Sequence, residues 1–171
     1  MKESANALSN RRVLVLWLGL LVIAPCTASR AQAVSEAESL ARIDDLRALA
    51  ANARRARTPL LLFFSTPGCP YCREVRRSYL APRVREGAAA GIEIREVDIT
   101  SRRVFTGHDG KPTSEMELAT RYRVRVAPVV VLVNQDLVPL ADPLVGIDRA
   151  GFYEGYLSSA IETARARLAK E

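Results

Sequence analysis

Leu60-Leu61-Leu62-Phe63-Phe64-Ser65-Thr66-Pro67-Gly68-Cys69-Pro70-Tyr71-Cys72-Arg73-Glu74-Val75-Arg76-Arg77 reads as a strand, a tight turn and the opening of a helix. Five consecutive apolar side chains suit a central strand covered on both faces. Two cysteines separated by two residues then fall at and just inside a helix N-terminus, where unpaired backbone N–H groups and the helix dipole favour a thiolate. The thiolate is the reactive form, and such surroundings lower a cysteine pKa from its free value of ~8.5. Cys69 is therefore the candidate nucleophile. Cys72, one turn further in, is placed to attack a mixed disulfide on Cys69 and release the partner reduced. The competing reading is half of a zinc site, which would want four ligands. The rest of the chain offers only Cys26 and one histidine, His108. The flanking strand and helix match the redox setting, and no metal is expected.

A chain of 171 residues can bury a core without disulfide staples, and this one reads as a single domain plus an N-terminal segment. The net charge of +6 invites a nucleic-acid partner. Residues 1–33, however, hold Lys2, Arg11, Arg12 and Arg30 against Glu3, which leaves 21 basic and 18 acidic side chains from Val34 onward. A charge of +3 argues weakly for any polyanion. The arginine clusters at Arg54-Arg55, Arg57, Arg102-Arg103 and Arg121 to Arg125 have few aromatics among them to stack on bases, so a solvated face is expected and no nucleic acid.

Residues 1–33 read as a cleavable signal peptide. Arg11-Arg12 end a charged region, and Val13 to Ala24 form an apolar stretch shorter than the ~20 residues of a membrane span. Pro25 breaks it, and Ala31-Gln32-Ala33 supplies the small-x-small cleavage pattern, so the mature chain is expected to start at Val34 in a periplasmic or otherwise secreted location. An uncleaved anchor, a lipoprotein acylated at Cys26 and twin-arginine export through Arg11-Arg12 remain as alternatives. An extracytoplasmic compartment oxidises idle thiols, so a reductant there needs its own electron source.

In the mature chain, residues 34–171, Ser35 and Glu38 form a capping box. Leu40, Ile43, Leu46, Leu49 and Ala53 follow at helical spacing, predicting a helix over 35–57 packed on the sheet. The core should occupy 58–168. The helix after the cysteines should run to about Leu80, kink or restart at Pro82 and close at Gly87 and Gly91. Ile92, Ile94, Val97 and Ile99 predict a strand whose spacing slips by one, suggesting a bulge or an early end. Thr100 to Thr113, with Gly107, His108, Gly110 and Pro112, reads as a loop. Ser114 and Glu117 form a second capping box on a short helix. An apolar strand headed by Pro128 follows, then an edge strand over Leu137 to Val145. Asp148 should cap a last helix burying Phe152, Tyr156, Ala160, Ile161, Ala164 and Leu168.

This order of elements, with Cys69-Pro70-Tyr71-Cys72, the Ala127-Pro128 step and Gly146, resembles the thioredoxin superfamily over residues 58–168. Phe64 to Cys69, the insert from Asp98-Ile99-Thr100 to Asp109-Gly110-Lys111, and Glu117-Leu118-Ala119 leading to Pro128 look most like the SoxW-like secreted thioredoxins. The resemblance implies an α/β, thioredoxin-like fold with a central mixed β-sheet flanked by helices. It implies a cis Pro128 facing the cysteines, and a substrate groove formed by Pro70, Tyr71, Ala127 and Pro128. It also implies a monomeric thiol–disulfide oxidoreductase without a cofactor, acting on protein disulfides and reduced by a membrane thiol-electron transporter. Cytosolic thioredoxins carry a buried aspartate six residues before the first cysteine. Phe63 stands there instead, so Glu74 or water would have to accept the proton. The Cys-Pro-Tyr-Cys motif is also that of dithiol glutaredoxins, but Asn134-Gln135-Asp136-Leu137 replaces their paired-glycine glutathione site. An oxidase or isomerase, a binding module and a metal chaperone are the competing functions.

Overall fold

A computed structural model describes residues 39–171. The expected signal segment and the Ser35–Glu38 capping box lie outside those residues.

Strand β1 (Leu60–Ser65) is buried along its whole length, as its unbroken apolar run requires. It pairs in parallel with β2 (Glu93–Asp98), from Leu60 opposite Glu93 to Ser65 opposite Asp98, and antiparallel with β5 (Val129–Val133). The short β6 (Leu144–Val145) adds to β5, giving a mixed four-stranded sheet in the order β2-β1-β5-β6.

Alternate side chains of β1 enter opposite layers, the period-two consequence of strand geometry. Leu61 and Phe63 join Cys72, Val75 and Leu80 of the helix after the cysteines, together with Leu157, Ile161 and Ala164 of the C-terminal helix. Leu60, Leu62 and Phe64 pack against Leu46, Leu49 and Ala53 on the other face, where Leu118 and Ala119 also lie. The sheet is thus sandwiched between helices, as expected.

Helix α1 (Leu46–Ala56) begins eleven residues later than the predicted start at Ser35. Asp45 is its N-cap, its carboxylate accepting from the Ala48 N–H at 2.8 Å. Before it the chain is extended: Arg42 bridges to Glu96 of β2, and the Glu96 N–H donates to the Ala41 carbonyl at 2.9 Å. Leu40 enters one core layer and Ile43 the other, so a spacing of three that suits a helix face also suits a strand covered on two sides.

The helix after the cysteines is composite. α2 (Pro70–Val75) passes through a π-helical turn (Arg76–Leu80) into α3 (Ala81–Glu86), and a 3₁₀ turn (Gly87–Ala90) ends it at Gly91. Pro82 has no N–H to donate one turn back, and the Ala81 N–H reaches the Arg76 carbonyl, widening the turn where the kink was expected.

Four further expectations are corrected. β2 carries no bulge: its register with β1 is continuous, and the interrupted apolar spacing arises because Glu96 takes an inward position opposite Phe63. The stretch expected to be a loop over 100–113 contains β3 (Val104–Thr106), which pairs with β4 (Pro112–Ser114) as a hairpin around Gly110. Only Leu144–Val145 of the expected edge strand is regular. Pro139 and Pro143 interrupt the rest, and the Asn134 side chain accepts from the N–H groups of Asp136 and Val138 to form a turn instead.

The last correction concerns the C-terminal end. Asp148 accepts from the Ala150 and Phe152 N–H groups and shapes a turn, while the final helix, α5 (Tyr153–Leu168), starts five residues beyond it. That start rotates the buried face to Tyr153, Leu157, Ala160, Ile161 and Ala164, leaving Phe152 and Tyr156 exposed. Helix α4 (Glu115–Arg121) does carry its capping box, with Ser114 and Glu117 bonded reciprocally. No helix among the described residues is long and apolar enough to cross a membrane.

Candidate active site

The turn between β1 and α2 delivers the two cysteines with different accessibilities. Gly68 takes a positive φ of 75°, a conformation that favours glycine, and Cys69 follows in extended geometry as the N-cap of α2. Its Sγ accepts from the Cys72 N–H at 3.0 Å, where a serine or aspartate oxygen commonly sits. Pro70 occupies the first turn, where a missing N–H costs nothing. Cys69 and Cys72 are joined as a disulfide, with Cα atoms 5.2 Å apart. Cys69 is half-buried, whereas Cys72 is fully buried beside Phe63 and Val75 in the core layer.

Ala127, which stands two residues before β5, lies against this pair. The Ala127–Pro128 peptide is cis, and the Ala127 carbonyl oxygen lies 4.0 Å from Cys69 Sγ. Tyr71, which separates the cysteines in sequence with Pro70, is 47% exposed, and Val126, which precedes Ala127, is 58% exposed. The structure therefore brings Cys69 to Ala127 and leaves Tyr71 free on the surface.

Beside Cys69 opens a polar cleft of about 660 Å³, lined in part by Ser65, Thr66, Arg73, Arg76, Arg77 and Glu96. The buried carboxylate at its floor is Glu96, not Glu74, which is exposed on α2. Glu96 Oε2 accepts from Arg76 Nε at 3.0 Å, Oε1 accepts from Arg76 Nη2, and the buried Ser65 hydroxyl also donates to Oε1. Arg76 in turn lies over the Phe63 ring, its Cζ 5.8 Å from the centroid, within the range of a cation–π contact. Sequence reasoning passed over Glu96. Its signal was the break in the β2 alternation, a polar residue standing where the period calls for an apolar one.

Two other polar groupings stand apart from the cysteines. Glu115 is completely buried and accepts from Arg42, through Nε and Nη2, and from Arg103 at 3.5 Å. That hydrogen bonding raises the Arg42 pKa above its ordinary value in spite of partial burial. His108 Nε2 lies 3.0 Å from the Gln135 carbonyl oxygen and lines a separate cleft with Asp109 and Lys111. Among the described residues no group of three or more His, Cys, Asp and Glu side chains is arranged to hold a metal ion.

Comparison with known proteins agrees with this geometry. The profile of a thioredoxin-like domain matches residues 46–159. A search of curated proteins by sequence finds no match. Among solved structures, a DsbH oxidoreductase is 16% identical with a TM-score of 0.50, the match covering 93% of this chain and 95% of that one. The C-terminal domain of DsbD from Neisseria meningitidis, in its oxidised form, is 22% identical over 69% of this chain and 98% of that one, with a TM-score of 0.47. A thioredoxin-fold protein from Helicobacter pylori is 17% identical over 67% and 84%, with a TM-score of 0.48.

Proposed function

The chain belongs to the thioredoxin-like family, and from that premise we propose that it reduces disulfide bonds of other proteins outside the cytoplasm. The fold and the disulfide-bonded pair support thiol–disulfide redox activity at the general level. The observation that carries the finer reading is the unequal burial of the two sulfurs: Cys69 is reachable beside the Ala127 carbonyl, and Cys72 lies wholly in the core.

In this reading the reduced protein presents Cys69 as a thiolate. It attacks one sulfur of a substrate disulfide, so that a Cys69–substrate disulfide forms and the other substrate cysteine leaves as a thiolate. Cys72, losing its proton, then attacks Cys69 Sγ. The Cys69–Cys72 disulfide forms, the second substrate thiolate leaves, and two electrons have passed from this protein to the substrate. Tyr71, Pro70, Ala127 and Pro128 form the groove in which the substrate chain lies. A membrane protein that carries thiol electrons outward restores the dithiol. The export that this scheme needs rests on the sequence of residues 1–33, read as a signal peptide.

Cysteine replacement tests the scheme. Cys72→Ser should accumulate mixed disulfides through Cys69, because attack proceeds and resolution cannot, while Cys69→Ser should trap little and lose insulin reductase activity. Non-reducing electrophoresis with mass spectrometry of the trapped species reads both. Trapping by Cys69→Ser instead, or activity with both cysteines replaced, rejects it. The direction is read from the reduction potential: a value near −270 mV marks a thioredoxin-like reductant, and one near −120 mV a strong oxidant, values known for thioredoxin and DsbA.

A further inference from the structure

Arg73 and Arg77 stand four residues apart on one side of the helix that follows the cysteines, and both are exposed. Neither makes an ion pair or a side-chain hydrogen bond with another described residue. Both line the polar cleft beside Cys69. The other charged groups of that cleft are already engaged. Arg76 and Glu96 hold each other, Arg42 is held by Glu115, and the Asp98 carboxylate accepts from the Thr100 N–H and hydroxyl at 2.9 and 2.8 Å. Arg73 and Arg77 are left without an ion pair, facing solvent on the same cleft as the reactive sulfur, where among the described residues Asp98 is the one carboxylate not paired with a cation.

The position of the cleft matters as much as its charge. Ala127 and Pro128 do not line it, so the cleft is distinct from the contact that Cys69 makes with the Ala127 carbonyl. A substrate chain whose sulfur reaches Cys69 beside Ala127 has the cleft within reach of one flank. An extended chain advances about 3.3 Å per residue, so side chains within a few residues of the target cysteine reach the cleft. A guanidinium offers a planar fork of donors that matches a carboxylate.

Resting on the disulfide-reductase reading above, we propose that this cleft selects polypeptide substrates with acidic residues flanking the target cysteine, Arg73 and Arg77 receiving their carboxylates. Exposed ion pairs are individually weak, so the two together should give acidic flanks an advantage of about three- to tenfold in kcat/KM over neutral ones, diminishing with added salt. The charges act on encounter and orientation, with the chemistry left to the two cysteines.

The test uses the full-length protein, reduced chemically, with three disulfide-linked model peptides identical except for Asp, Asn or Lys beside the cysteine, and with glutathione disulfide as a small anionic comparison. The wild type should rank Asp above Asn above Lys. Arg73→Gln with Arg77→Gln should bring the Asp-to-Asn ratio close to one, and Arg73→Glu with Arg77→Glu should invert it. The ratio cancels any change in the intrinsic reactivity of Cys69. Equal rates for Asp and Asn peptides in the wild type, or an undiminished ratio in the Gln variant, overturn the proposal. So does glutathione disulfide reduced at least as efficiently as the Asp peptide, which would make a small anion the occupant. Failure to reduce any of the disulfides removes the reductase reading itself, and the proposal with it.

Discussion

Arg76 and Glu96 join the helix that carries the cysteines to the strand beside β1, Nε donating to Oε2 at 3.0 Å and Nη2 to Oε1. The pair lies at the floor of the cleft that Cys69 lines, so the carboxylate cancels a cation that would otherwise favour the thiolate. A stabilised thiolate stabilises the reduced form and makes a dithiol pair more oxidising. On the reductase reading, neutralising Arg76 would shift the pair toward the reducing side.

Glu96→Gln keeps the shape and an acceptor for Ser65 while removing the charge. The Cys69 thiol pKa should fall, and the reduction potential should rise by on the order of 10–30 mV. Alkylation rate against pH and equilibration with glutathione buffers measure the two. An unchanged or more negative potential would show that the Arg76 charge does not reach Cys69.

Glu115 is held completely buried by Arg42 and Arg103. Removing Arg42 leaves the buried carboxylate less compensated, so Arg42→Ala should destabilise the fold by about 1–2 kcal/mol, less than for a fully buried pair because Arg42 is itself exposed and Arg103 remains. Arg42→Met combined with Glu115→Leu should recover most of that loss. Urea denaturation followed by circular dichroism decides it. A double variant no more stable than Arg42→Ala contradicts the desolvation account.

Tyr153 begins α5 in the core layer that holds Cys72, its ring 4.8 Å from that of Tyr79. Among the described residues its buried hydroxyl has no hydrogen-bond partner, and burial pushes its pKa up to about 12. An unsatisfied buried polar atom costs on the order of 1–3 kcal/mol, so Tyr153→Phe should leave the protein as stable or more stable, by up to about 1 kcal/mol. A lower denaturation midpoint for the variant would contradict that account.

The cysteine helix was legible because one short stretch carries several agreeing signals: an unbroken apolar strand, a turn, and paired cysteines with Pro70 between them. The sheet followed from the runs at Leu60 and Val129, whose composition leaves little choice. What escaped depended on partners far along the chain. Leu40 and Ile43 fit helix and strand equally well, and the choice falls to extended backbone through bonding to Glu96, more than fifty residues on. The β3–β4 hairpin is too short and polar for a period to show. Glu96 was hidden because a charged residue is ordinarily assigned to solvent, and the arginine that admits it to the interior lies in another element. Glu74, by contrast, drew notice from its nearness in sequence and stands exposed.

The extended segment through Ala41 and Arg42 has a consequence for how this molecule meets other chains. The sheet has two margins, and a bare strand at a margin offers unpaired N–H and C=O groups on which any extended polypeptide can add itself. At the β2 margin the Glu96 N–H is already taken by the Ala41 carbonyl, and at the other margin β6 is two residues long. A protein whose partners are chains with unsettled cysteines would repeatedly face such strands. Covering part of one border and shortening the other leaves less bare edge on which a partner chain could co-aggregate along the sheet.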